Sequence, residues 1–128
     1  MRLNYPSSIR IIRVPCTGKV DVLHILRCLE RGAVGVYVVG CREGDCHFQN
    51  GNFRARKRVE QAQHLLDRIG IGGQRVRMCN LSSSDAPLFV RYAEEMHAAV
   101  LNLGPNPVRT ALASMKTASG RAEAGLSA

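Results

Sequence analysis

Val38-Val39-Gly40-Cys41-Arg42-Glu43-Gly44-Asp45-Cys46-His47 is the stretch whose reading decides the fold. Val34 to Val39 is an apolar run without polar alternation, the pattern of a short strand buried on both faces of a parallel sheet. It stops at Gly40, and a turn with two cysteines five positions apart follows. Chain leaving the carboxyl end of such a strand enters the crevice where open α/β sheets bind ligands. Gly40 and Gly44 let backbone amides approach closely there. The turn therefore reads as a binding loop that delivers two thiols.

Outward from this loop, the elements alternate. Ile9-Arg10-Ile11-Ile12-Arg13-Val14 is a β-rich run closed by the turn signal Pro15-Cys16-Thr17-Gly18. Asp21 caps a helix with Val22, Ile25, Leu26 and Leu29 on one stripe and Gly32 as its stop. On the far side of the loop, a helix runs from about Asn52 to Ile69 with Val59, Ala62, Leu65, Leu66 and Ile69 as its apolar stripe. Gly70, Gly72 and Gly73 break it, and Arg75 to Cys79 is a third short strand. Ser83 or Ser84 caps a last helix from about Asp85 to Leu103, burying Leu88, Tyr92, Met96, Val100 and Leu103. Gly104-Pro105-Asn106-Pro107 ends it.

The order βαβαβα predicts an α/β fold: a small parallel sheet of about three strands in open, flavodoxin-like layering, flanked by helices. So thin a sheet has exposed edges and calls for a further strand or a covering partner. The domain is expected over residues 1–105. Residues 106–128, rich in Ala, Ser and Gly, are expected to form a weakly ordered or partner-bound tail.

Composition narrows the class. At 128 residues, 45% hydrophobic and without Trp, the chain can bury one core built on aliphatic side chains. No apolar run approaches the roughly 20 residues of a membrane span, and the polar N-terminus is not a signal peptide; a cytoplasmic chain is expected. The net charge is +8, and fifteen of the eighteen cations are Arg. That bias suits bidentate pairing with carboxylates at protein interfaces as readily as with phosphates, so the charge points to an acidic partner without deciding its kind; nucleic acid is not the expected one. Arg54, Arg56, Lys57 and Arg58 crowd the first turns of a helix, where cations oppose the macrodipole. Something negative nearby, a cofactor or a partner, would offset them.

The five cysteines are an odd number, which in a chain without a secretion signal points to metal or redox use rather than a disulfide framework. Cys16, Cys41 and Cys79 each follow a predicted strand, so a parallel sheet would carry all three to one rim, and Cys46 returns as a fourth thiol. Thiolates, glycines that admit N–H donors and neighbouring Arg charge together suit an iron–sulfur cluster. Cys28 reads as helix packing. Zinc on Cys41, Cys46 and His47 lacks the usual paired C-x2-C spacing. An anion nest at the glycines is a fold-level alternative, without a Walker lysine or G-x-G-x-x-G pattern beside it.

Tyr5-Pro6-x2-Ile9-Arg10-Ile11-Ile12-Arg13-Val14-Pro15-Cys16-Thr17-Gly18-Lys19-Val20-Asp21, Gly40-Cys41-x2-Gly44-Asp45-Cys46-His47 and Gly51-Asn52-Phe53 carry a specific resemblance. Over about residues 4–105 the chain resembles the delta, or iron–sulfur, subunit of methyl-viologen-reducing nickel–iron hydrogenase, a family with relatives in heterodisulfide reductase complexes. The resemblance implies a 2Fe–2S electron-transfer subunit in a hetero-oligomer. Such a subunit would pass electrons from a hydrogenase or formate dehydrogenase module to a heterodisulfide reductase-like flavin subunit. Cys16, Cys41 and Cys46 fall on family cysteine positions. The family's first strand and C-x2-C pair have no counterpart in this sequence. The fourth ligand is then expected from Cys79, with a partner's residue as the alternative. A cluster-free adaptor bridging two redox subunits is the other reading.

Overall fold

The computed structural model describes residue 4, residues 6–42 and residues 50–126, with side chains through residue 117. Gly44, Cys46 and His47 lie outside the described residues.

Asp21 starts α1 (Val22–Glu30) as expected, and His24 Nδ1 accepts the Asp21 N–H at 3.1 Å to complete a capping box. Gly32, at φ 114°, lets the chain turn away after α1. β1 spans Val36–Cys41 and β2 spans Val76–Leu81, each ending two residues later than the sequence suggests. They pair in parallel with Val36 opposite Val76 and Cys41 opposite Leu81. α2 (Gly51–Arg68) connects them, α3 (Ala86–Leu103) follows β2, and α4 (Pro107–Leu126) closes the described chain.

The alternation of the strands sorts the layers. Val38 and Val76 face α1 and α2, joining Ile25, Leu29, Val59, Ala62 and Leu66 in one core; burying each of the larger members contributes about 1.5–3 kcal/mol. Tyr37 and Cys79 face the other way, toward Tyr92 of α3, and the two tyrosine rings meet edge-on at 6.3 Å. A Cβ on Gly35 would lie 2.6 Å from a Val100 methyl and 2.7 Å from Met96 Cε, so α3 sits hard against the start of the sheet.

Three expectations need correction. Residues 9–14 form no strand: Ile11 and Ile12 are 60% and 74% exposed, and the described sheet has two strands rather than about three. β-propensity expresses itself only against a neighbouring strand, and among the described residues none pairs with this run. The buried face of α2 is Asn52, Ala55, Val59, Ala62 and Leu66, while Leu65 and Ile69 point outward. Asp85, not Ser83 or Ser84, precedes α3, and its carboxylate accepts from the Ser82 N–H (2.8 Å) and Oγ–H (2.9 Å).

The segment after Gly104 is helical in α4 and exposed along its described side chains from Arg109 onward. It is tied down at its start. Asn106 is buried, its Nδ2 donating to the carbonyls of Leu29 and Ala33 (both 2.7 Å) and its Oδ1 accepting the Val108 N–H.

Candidate metal centre

The Cys16 turn and the Cys41 strand end meet at the N-terminus of α2. In the first, Cys16 precedes the 3-10 turn Thr17–Lys19 and its Sγ accepts the Gly18 N–H at 3.4 Å. Thr17 packs on Gly40: a Cβ there would lie 3.1 Å from the threonine Oγ1. Gly18 packs on Gly51, where a Cβ would come within 2.9 Å of the Gly51 Cα. Only glycine permits so close an approach of two backbones. The second segment is the end of β1, whose last residue, Cys41, is exposed.

Side chains of α2 and β2 fix both segments. Arg58 Nη1 donates to the carbonyls of Gly18 (2.6 Å) and Val20 (2.9 Å). Asn52, 2% exposed, donates from Nδ2 to the carbonyls of Cys41 (3.4 Å) and Arg42 (3.0 Å). Asn80 Nδ2 reaches the Cys41 carbonyl at 2.6 Å. Arg42 forms an ion pair with Asp85 at 2.6 Å. The Asp85 carboxyl is held below the usual carboxylate range, first by the Ser82 N–H, then by the Ser82 hydroxyl and by Arg42.

Cys79 sits elsewhere. It is the fourth residue of β2, paired with Val39, rather than a residue beyond the strand. It is 5% exposed, and its thiol interacts with the hydroxyls of Tyr37 and Tyr92 on the α3 side. The Cys16 turn packs on the α1–α2 face, through Gly40. Cys41 has the same strand alternation as Cys79 but differs from it in ending its strand in the open, beside the Asn52 and Asn80 amides. Burial pushes the Cys79 thiol up, against the pull of the two tyrosine hydrogen bonds and Arg77, so the protonated form is favoured. Cys28, in α1, is half-buried, in keeping with a packing role.

A metal-thiolate group needs deprotonated thiols, N–H donors toward sulfur and a fixed backbone. Cys16 has an N–H donor on its sulfur and Cys41 a backbone held by Asn52 and Asn80; Cys79, buried between two tyrosines, has neither. Among the described residues no three His, Cys, Asp or Glu side chains converge to hold a metal, and Cys46 lies outside them. Sequence reading missed Asn52, Arg58 and Asn80. The available signal was Gly51-Asn52 at a helix start followed by cations that the helix dipole disfavours.

The chain is a small α/β domain that braces a cysteine turn and a cysteine-bearing strand end against one helix N-terminus, at the carboxyl end of a parallel strand pair. A family model, that of the methyl-viologen-reducing hydrogenase, delta subunit, matches residues 1–104, and the chain belongs to this family. It is 46% identical over 108 residues to the vhu iron-sulfur subunit of the F420-non-reducing hydrogenase of Methanocaldococcus jannaschii, spanning 84% of this chain and 81% of that one. The corresponding protein of Methanopyrus kandleri is 45% identical over 104 residues, 81% of this chain and 79% of the relative. One component of the ferredoxin:CoB-CoM heterodisulfide reductase of Methanosarcina mazei is 34% identical over 104 residues, 81% of this chain but 13% of that much longer protein.

Proposed function

We propose that the chain is a non-catalytic electron-transfer subunit of a hydrogenase or formate dehydrogenase–heterodisulfide reductase-type complex. It relays electrons through a 2Fe–2S cluster to a flavin-bearing subunit. The observation that carries this reading is the meeting of the Cys16 turn and the Cys41 strand end on α2, in a chain whose relatives are named iron-sulfur subunits. A cytoplasmic location and a hetero-oligomeric state go with it.

Cys16, Cys41 and Cys46 supply thiolates, and a bound cluster contributes one-electron transfer. The protein's own part is electrostatic. The Gly18 N–H aimed at Cys16 Sγ stabilises negative charge on that sulfur. The N-terminal dipole of α2 and the cations on its first turns offset the net negative charge that thiolate ligands bring. Cys79 joins the set only by leaving Tyr37 and Tyr92, so it ranks behind the other three.

Anaerobic purification of the complex followed by iron and acid-labile sulfide assay tests the reading. About two of each per chain are expected, with both lost, along with electron flow, in Cys41→Ser. Apo protein under those conditions defeats it. A Cys79→Ser chain that loses its iron gives Cys79 the fourth ligand place; one that keeps it gives that place to a partner protein.

A cluster-free adaptor is the second reading. It is favoured by the sequestration of Cys79 and by the exposed cations Lys19, Arg54 and Lys57 around α2. An adaptor would keep both assembly and turnover after joint replacement of Cys41 and Cys46 by Ser.

A further inference from the structure

The residues that hold the two cysteine segments in place are more telling than the thiols. Asn52 lies in the first turn of α2 and Arg58 in the second, and each spends its donors on backbone carbonyls of a different cysteine segment. Asn52 takes Cys41 and Arg42, which carry the strand end. Arg58 takes Gly18 and Val20, which flank the turn after Cys16. Between them, the backbones of Gly18 and Gly51 touch. Asn52 is nearly fully buried, and its Oδ1 accepts the Phe53 N–H at 2.9 Å, which fixes the amide orientation so that Nδ2 faces the strand end. Among the described residues no buried side-chain polar atom is left without a partner. An amide placed this way has one available use: it holds the Cys41–Arg42 backbone.

We infer that α2 is a bracket, and that Asn52 and Arg58 are positioning residues that set the spacing between the Cys16 and Cys41 thiols so that both serve one soft metal centre. The identity of that centre as a cluster rests on the function proposed above; the bracket itself does not. A rigid helix is well suited to the task, because it fixes two otherwise independent loops relative to one axis. Both bonds leave Arg58 Nη1, whose two N–H directions are fixed in the guanidinium plane; a freely rotating ammonium on a shorter stem keeps neither the reach nor the fixed directions. An aspartate at position 52 keeps the acceptor for the Phe53 N–H but loses the donor to both carbonyls.

The test needs a readout other than cluster content. In the full-length chain with Cys28, Cys46 and Cys79 replaced by Ser, phenylarsine oxide, a trivalent arsenical that binds tightly only by bridging two thiols, reports how well Cys16 and Cys41 are placed together. One-to-one binding is expected, weakened at least about tenfold in Asn52→Asp and in Arg58→Lys, as for supporting contacts of metal ligands. Asn106→Ala loosens the α1–α4 junction and is expected to leave the affinity unchanged. Should Asn52→Asp not fold, Arg58→Lys and Gly18→Ala, which drives a Cβ into Gly51, decide the matter. Absence of bridging in the starting chain, equal affinity in all variants, or an equal loss in Asn106→Ala overturns the bracket. If the arsenical pattern holds while the purified complex lacks iron and sulfide, the cluster reading fails and the bracket stands. If iron and sulfide are present while the arsenical pattern is flat, the bracket fails alone.

Discussion

Cys41 and Cys79 belong to neighbouring strands, yet their chemistry differs because one ends a strand in the open and the other is packed between two tyrosines. In the apo chain at pH 8, Cys41 is expected to react with a maleimide as a free thiol does, and Cys79 at least about tenfold more slowly, since local opening must precede attack. Peptide mapping after timed labelling checks this. The folded state holds the Cys79 proton more tightly than the unfolded chain, so its neutral thiol contributes stability that is intact below the ordinary thiol range and is lost as pH climbs through the raised value. Asp85 behaves in the opposite sense. Its lowered pKa contributes stability that is present above the ordinary carboxylate range and is lost as pH falls through the lowered value. Acid titration followed by circular dichroism is expected to show a shallower acid limb in Asp85→Asn. None of this was legible in the sequence: a cysteine at a predicted strand end and an aspartate before a helix look alike whether buried or open.

At the scale of elements, the helices were legible and the packing of their ends was not. The sequence puts Arg75 at the start of a strand; in the structure it is 3% exposed and precedes β2. Its guanidinium donates to the carbonyls of Ile71, Val34, Leu103, Gly104 and Pro105 at 3.0–3.2 Å. Three of those carbonyls come from the end of α3, where the helix dipole favours a cation. Arg75→Met is expected to cost about 3 kcal/mol, because five carbonyls around a buried side chain lose a charged donor and gain nothing. Arg75→Lys should recover only part, lacking the fork. Urea unfolding of the two variants measures the difference. The same physics explains the failure of the first predicted strand. A helix satisfies its hydrogen bonds within its own segment, whereas residues 9–14 needed an edge to pair with.

For the molecule as a whole, the two strands of the described sheet have to be kept in place by what surrounds them. α1 and α2 cover one face and α3 the other, and the junctions are sealed by single polar side chains. Asn106 joins the end of α1 to the start of α4 through two buried carbonyls. Asn106→Ala is expected to destabilise the chain by about 1–3 kcal/mol, read as a lowered midpoint in thermal unfolding, with no change in far-UV spectrum below the transition. A tail that contributed nothing to the domain would leave that midpoint where it was. The exposed face of α4 and the bare run at 9–14 leave surface of the kind a partner protein covers.

The sequence by itself determined the alternation of helices and parallel strands, the stops at Gly32 and Gly104, and the family. Those follow from local periodicity, from φ values that glycine alone adopts freely, and from a Gly-Cys-x2-Gly-Asp-Cys-His pattern dense enough to be specific. The packing of the layers settles which thiol is open and which is buried, which of fifteen arginines is sequestered, and that an asparagine and an arginine on one helix hold the Cys16 turn and the Cys41 strand end. Such contacts join residues about forty positions apart, as Arg58 does with Gly18. Their existence depends on how layers pack, which no short window of residues encodes.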